Sequence, residues 1–327
     1  MGDVAMTSPV ISAVARQHPS DDFTMLSSSF FEPFIERADN LHFRGTDIRK
    51  AKHGLAALCQ LYRQLAADHF DIVIDLHDVL RTKILRNLLR FNGCRIYKID
   101  KGRKEKHQLV APDNQNRHQL KSTIQRYADV FIKAGYSTDY QGQKWPRAAI
   151  PEIDNLTAKG TEKWIGIAPF AQHRGKIYDI DKMSAVVQML SERGYSTFIF
   201  GGGKEEKRVA DEWAAKFTNC HSVIGKLKLG GEMALMSNMD CMLTMDSSSM
   251  HMASLYGVRV VSVWGATHPW AGFLGYGQNP ADAVQRDLPC RPCSIYGNKP
   301  CRFGDYRCLD IAPEIIVQRI EMNASSL

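Results

Sequence analysis

The sequence predicts an α/β protein built as two doubly wound halves, and three observations carry that expectation. Apolar runs that end in polar residues alternate with stretches of helical period, the pattern of buried parallel strands and their crossover helices. The alternation stops over residues 137–162, where two prolines and many polar residues show no period, and then restarts. The 327 residues suffice for two domains of about 150 residues each. The expected domains are residues 1–150 and 151–327, with a cysteine-rich loop at 290–308 and a final helix in the second.

In the first half, MGDVAMTSPVISAVARQHP places Gly2 and Asp3 just before a helix with Val10, Ala13 and Val14 on one face. Residues 47–68 have helical spacing, with Leu55, Leu58, Leu61 and Leu65 on one side. DIVIDLH from Asp71 reads as a buried strand, LRTKILRNLLRF as a helix and CRIYKI as a short strand. A basic loop and a helix around HQLKSTIQRYADVFIKAGY follow. In the second half the strands are WIGIAPF, STFIF, HSVIG, CMLTM and RVVSVWG, about five in parallel, with helices between them. APEIIVQRIEM forms the final helix.

Composition narrows the function. No apolar stretch approaches the roughly 20 residues of a membrane-spanning helix. The N-terminus has neither the basic leader nor the apolar core of a secretory signal, which predicts a cytoplasmic protein. A net charge of +7 suits an anionic substrate or membrane surface, while no nucleic-acid-binding signature is present.

The most informative segment is CMLTMDSSSMHMASLYGVRVVSVWGATHP. A strand ends at Met245, and Asp246, Ser247 and Ser248 open the next helix. Asp246 or Ser247 can cap that helix, whose free N–H groups and dipole suit a diphosphate; an ordinary capped helix has the same residues. His251 and Gly265 lie near the same sheet edge, with His268 beyond. A satisfied core histidine explains His251 equally well, and without accompanying carboxylates the two histidines predict no metal site. FIFGGGKEEKRVADEWA carries Glu205 and Glu206 at a glycine turn, where an acidic residue can bind ribose hydroxyls or simply favour a helix N-terminus. It matches no standard nucleotide-binding fingerprint. In IAPFAQHRGKIYDIDKM, His173, Arg174 and Lys176 sit on a loop after a strand, placed to neutralise phosphate or to be solvated. Lys101, Arg103, Lys104 and Lys106 share one loop that binds an anionic acceptor or is plain exposed charge. Asp3 is a candidate general base, with capping as the alternative.

Together these segments resemble glycosyltransferase family 9, the ADP-heptose:lipopolysaccharide heptosyltransferases and their relatives. GDVAMTSPV, DIVIDLHDVLRT, KGRKEKHQL and RYADVFIKAG carry the likeness in the first half. IGIAPFAQHRGK, FIFGGGKEE, MDSSSMHMASLYG, VSVWGATHP and GFLGYGQ carry it in the second. The resemblance implies a GT-B fold, two Rossmann-like domains facing a central cleft, with metal-independent, inverting transfer from an ADP-sugar to a lipopolysaccharide-core acceptor. It implies Asp3 as the general base and Lys101, Arg103 and Lys104 on the acceptor side. Lys176, Glu205 or Glu206, Asp246, Ser247, Ser248, His251 and Gly265 fall on the donor side. Acceptor chemistry further implies a peripheral position on the inner membrane.

Two departures from the family pattern stand out. Relatives begin with a strand leading into the GD turn, whereas here Met1 directly precedes Gly2, so the sequence reads as truncated at its N-terminus and of uncertain activity in this form. KIY at 176–178 stands where relatives often carry K-x-W, with Tyr178 keeping the aromatic character. The alternatives to heptosyl transfer are a GT-B enzyme using another nucleotide sugar and an inactive sugar-nucleotide-binding protein.

Cys290, Cys293, Cys301 and Cys308 have the spacing C-x2-C-x7-C-x6-C. The first pair has zinc-site spacing and the second is too wide for the usual pattern. A structural zinc, two disulfides in purified protein and free thiols packing a loop are the three expectations, none with a chemical role.

Overall fold

The computed structural model describes residues 1–36, 38–46, 54–153 and 158–322. The chain divides into two compact units. Met1, Asp3–Arg103 and Lys121–Gln143 make the first; Gly2, Lys104–Leu120 and Lys144–Leu327 make the second.

The first unit opens with α1 (Gly2–Gln17), buried from Ala5 to Ala15. β1 (Phe23–Ser27) and β2 (Leu41–Gly45) pair in parallel. α2 (Gly54–Ala67), β3 (Ile72–Asp75), α3 (Leu80–Phe91) and β4 (Arg95–Lys98) follow, with β3 and β4 also parallel. α2 buries Leu58, Leu61 and Leu65 against Leu85, Leu89 and Cys94. Leu55, expected on the same face, is exposed instead. It lies in the first turn, and the start of the expected helix, 47–53, is outside the described residues. The alternation predicts one sheet here, but the described residues of the unit form two separate two-stranded sheets. A doubly wound sheet needs a strand that pairs with both inner edges, and none of the described residues supplies it.

The basic segment expected as a loop begins α4 (Arg103–Leu109). Its residues from Lys104 onward belong to the second unit, where Leu109 and Leu120 pack on Ala271 and Leu120 N–H donates to the Trp270 carbonyl. α5 (Thr123–Lys133) returns to the first unit, its start capped by the Ser122 hydroxyl.

The second unit has one six-stranded parallel sheet. Its strands are β5 (Trp164–Ala168), β6 (Ser196–Ile199), β7 (Cys220–Ser222), β8 (Cys241–Met245), β9 (Arg259–Trp264) and β10 (Ala283–Gln285). The order is β7-β6-β5-β8-β9-β10. Counted from β5 this is the 3-2-1-4-5-6 order of dinucleotide-binding folds, whose switch point lies between the first and fourth strands, here β5 and β8. The intervening helices are α6 (Ile180–Glu192), α7 (Lys204–Lys216), α8 (Leu229–Met236) and α9 (Ser248–Leu255). α10 (Pro313–Glu321) closes the chain, with proline in its first turn where a missing N–H costs nothing. Ile165, Ile167, Leu243, Val261 and Val263 are fully buried against Val186, Val187, Leu190, Ile316 and Val317. The sixth strand, β10, is a three-residue Ala-Val-Gln segment and gives no periodic signal. No described helix is long and apolar enough to cross a membrane.

Candidate active site

Parallel sheets deliver the loops after their strands to one edge, so the switch point brings the β5 and β8 loops side by side. After β5 the chain makes a single 3-10 turn, Arg174–Lys176. After β8, Asp246 is buried at the turn into α9. Lys176 Nζ lies 2.8 Å from Asp246 Oδ2, with side chains 16% and 5% exposed. The contact is an ion pair outside hydrogen-bond angles, since Oδ2 accepts no hydrogen bond.

Neither expected cap forms at the head of α9. Ser247 occupies the N-cap position without a side-chain hydrogen bond, and its buried hydroxyl has no partner. Asp246 is drawn instead toward Lys176. The first-turn N–H groups therefore keep no side-chain acceptor, the condition under which a helix start binds an anion. Ser248 begins the helix half-buried, and His251 is buried one turn further on.

Glycines let three backbones close around Lys176. Gly265 follows β9, and Ala266 N–H donates to the Gly175 carbonyl at 2.8 Å. A Cβ on Gly265 would lie 2.5 Å from the Gly175 oxygen. Gly297 has φ +72°, and a Cβ there would meet the Lys176 stem at 2.6 Å. The WGATH turn and the cysteine segment thus wall in the lysine.

Arg291 fixes the WGATH turn. Only 4% exposed, it donates to the carbonyls of Gly265, Thr267 and Trp264, at 2.5, 2.8 and 3.2 Å, and to Gln285 Oε1 at 3.0 Å. Burial and the Arg291 charge push His268 down to about 4. His268 Nδ1 accepts from Trp270 N–H at 3.1 Å, so the neutral ring carries its proton on Nε2. Sequence reasoning missed Arg291, whose signal is an arginine between a cysteine and a proline in CRPC, a segment read only for its thiols.

The two glutamates separate. Glu206 folds back to accept from Gly202 N–H at 2.7 Å, holding the glycine turn. Glu205 is exposed and pairs with Arg208 at 2.6 Å. Arg174 turns away to the Ile177 carbonyl and the Tyr306 ring. Tyr178 is a core residue whose hydroxyl donates to the Ile311 carbonyl at 2.7 Å, and desolvation pushes its pKa up.

In the first unit, Asp3 is exposed in the first turn of α1. Lys101 and Arg103 belong to this unit and Lys104 to the second. Arg103 is largely exposed, 3.4 Å from Asp78 Oδ2.

The zinc expectation is corrected. Among the described residues no three His, Cys, Asp or Glu side chains are arranged to hold a metal, and all eight cysteines are free thiols. Cys308 packs into the sheet's apolar core, Cys301 turns to Asp305 at 4.0 Å and Cys293 to the Ala266 carbonyl at 3.8 Å.

Comparison with known proteins agrees with this architecture. The model of glycosyltransferase family 9 (heptosyltransferase) matches residues 58–304. Lipooligosaccharide heptosyltransferase 2 of Campylobacter jejuni is 23% identical, over 98% of this chain and 95% of its own. Lipopolysaccharide heptosyltransferase 3 of Escherichia coli is 25% identical, over 83% and 84%. Among solved structures, a glycosyl transferase family 9 protein of Veillonella parvula superposes with a TM-score of 0.75 at 19% identity, covering 98% of this chain and 93% of its own. The E. coli heptosyltransferase WaaC with ADP-2-deoxy-2-fluoro heptose gives 0.69 at 17% identity, covering 99% and 97%. The fold is therefore the GT-B type of the solved heptosyltransferases, and the chain belongs to glycosyltransferase family 9.

Proposed function

We propose that this glycosyltransferase moves a heptose from an ADP-sugar to a lipopolysaccharide-core acceptor, with inversion at the anomeric carbon. The observation that carries the donor half is the Lys176–Asp246 pair beside the uncapped start of α9. A cation and free N–H groups meet there at a switch point, where a departing diphosphate gains charge. Glu206, in the first turn of α7 and bound to the glycine turn after β6, is the candidate for the ribose. Heptose as the sugar and lipopolysaccharide as the acceptor are supported by the names of the relatives, lipopolysaccharide and lipooligosaccharide heptosyltransferases.

In this reading an acceptor hydroxyl oxygen attacks the anomeric carbon as its bond to the diphosphate oxygen breaks. ADP leaves, and the hydroxyl proton passes to the Asp3 carboxylate, the base that the family resemblance implies. Lys176 and the α9 N–H groups stabilise the leaving diphosphate. Lys101, Arg103 and Lys104 face the anionic acceptor, on the cytoplasmic side of the inner membrane.

The test is transfer of labelled sugar by the purified chain from a panel of ADP- and UDP-sugars, with a deacylated core oligosaccharide as acceptor. Product with ADP-heptose alone supports the proposal. Turnover of another nucleotide sugar moves the chain to a different donor, and donor binding without turnover makes it a sugar-nucleotide-binding protein.

A further inference from the structure

Besides its buried face, α3 carries an apolar stripe that no apolar cluster covers among the described residues. Leu85 and Leu89 point into the cluster of Leu58, Leu61 and Leu65. The adjoining outer side carries Leu80, Ile84 and Phe91, which are 74%, 37% and 89% exposed, with Leu88 half-buried. Steps of four, four and three residues set these side chains in one stripe along the helix. Exposing three large apolar residues in one line is uncommon on a soluble surface and marks an interaction site.

The charges beside the stripe say what it meets. Exposed Arg81 flanks it on one side and exposed Arg90 on the other, while half-buried Lys83 lies 4.0 Å from Asp78. α3 contains no acidic residue. Its remaining arginine, Arg86, is buried and bound to Asp75 and Asp78 at 2.6 and 2.8 Å, which anchors the helix rather than adding to its outer charge. A helix with an apolar stripe flanked on both sides by exposed arginine has the make-up of an interfacial helix at an anionic bilayer.

We infer that the outer face of α3 docks this chain on an anionic membrane surface, Leu80, Ile84, Leu88 and Phe91 entering the headgroup–acyl boundary and Arg81 and Arg90 meeting lipid phosphates. The inference rests on the proposed lipid-linked acceptor for its purpose, but not for its test. A protein occupant would need acidic residues placed opposite both Arg81 and Arg90, whereas an anionic bilayer offers charge along the whole stripe.

The experiment is co-sedimentation of the full chain with vesicles of phosphatidylethanolamine and phosphatidylglycerol, and with vesicles of phosphatidylcholine alone. Binding is expected on the anionic vesicles and not the neutral ones, weakening as salt rises. Leu80→Ser with Phe91→Ser, and separately Arg81→Gln with Arg90→Gln, should each lower partitioning by about tenfold or more. Thermal midpoints and transfer to the deacylated acceptor should stay unchanged in both variants. Undiminished binding by both folded variants, or equal binding to neutral vesicles, overturns the inference. So does a concentration-dependent dimer that the Leu80→Ser, Phe91→Ser variant abolishes without any vesicle binding. Failure of heptosyl transfer would count against the proposed reaction and leave the vesicle result standing.

Discussion

Lys176 and Asp246, 70 residues apart in sequence, form a buried ion pair 2.8 Å long across the switch point of the second unit's sheet. Backbone closes around the pair. Gly265 and Gly175 let the WGATH turn pack against the lysine loop, Gly297 closes on the lysine stem and Arg291 pins the turn from below.

Removing the lysine should therefore act on both stability and binding. Lys176→Met leaves Asp246 buried without its cation, a loss of about 3 kcal/mol in urea unfolding. Adding Asp246→Leu should restore part of it. ADP affinity by calorimetry should fall by about 1.5–3 kcal/mol in the single variant. Unchanged affinity would remove Lys176 from the donor site.

Gly265→Ala tests the backbone approach. The new methyl meets the Gly175 oxygen, a fixed backbone atom, and must push the two loops apart. A stability loss of about 1–3 kcal/mol is expected, with weaker ADP binding. Thermal melts with and without ADP separate the two effects, and a variant as stable as the parent would show that the loops yield freely.

Arg291→Met strips a donor from three buried carbonyls at once. Each unpaired acceptor costs about 1–3 kcal/mol, so the variant should be among the least stable single substitutions in this unit. Chemical denaturation measures it. A loss below about 1 kcal/mol would mean that water replaces the guanidinium.

His268 makes stability depend on pH. Its folded pKa is pushed down to about 4 from an ordinary 6.5, burial being the larger cause and Arg291 the second. The unfolded chain therefore takes up the proton first as pH falls. Stability from this group is complete above about 6.5 and is lost progressively down to about 4. His268→Asn, which keeps an acceptor for Trp270 N–H, should flatten the urea-midpoint profile over that window. Parallel profiles would assign the acid sensitivity to other groups.

Asp3→Asn should leave ADP binding intact while turnover falls by about 10²–10⁴. Full turnover in that variant would exclude Asp3 as the base.

The second unit was legible in the sequence because a buried parallel strand must be apolar and a crossover helix must be amphipathic. Local composition alone marks both, as in Trp164–Ala168 and Ile180–Glu192. The likeness in GDVAMTSPV, MDSSSMHMASLYG and VSVWGATHP named the family because those segments keep their residues and their order along the chain. The tertiary structure alone decided what those loops do to one another. Asp246 could cap α9 or pair with a cation, and only the juxtaposition of β5 and β8 brings Lys176 close enough to choose the pair. Glu205 and Glu206 are adjacent in sequence and equivalent by composition, yet α7 turns one toward the glycine loop and the other toward Arg208. The thiols of residues 290–308 read as a zinc set, as two disulfides or as free thiols, and packing gives Cys308 to the core and Cys301 to Asp305. Periodicity reports whether a residue meets water or protein, whereas its partner is fixed by which distant segment the fold lays beside it.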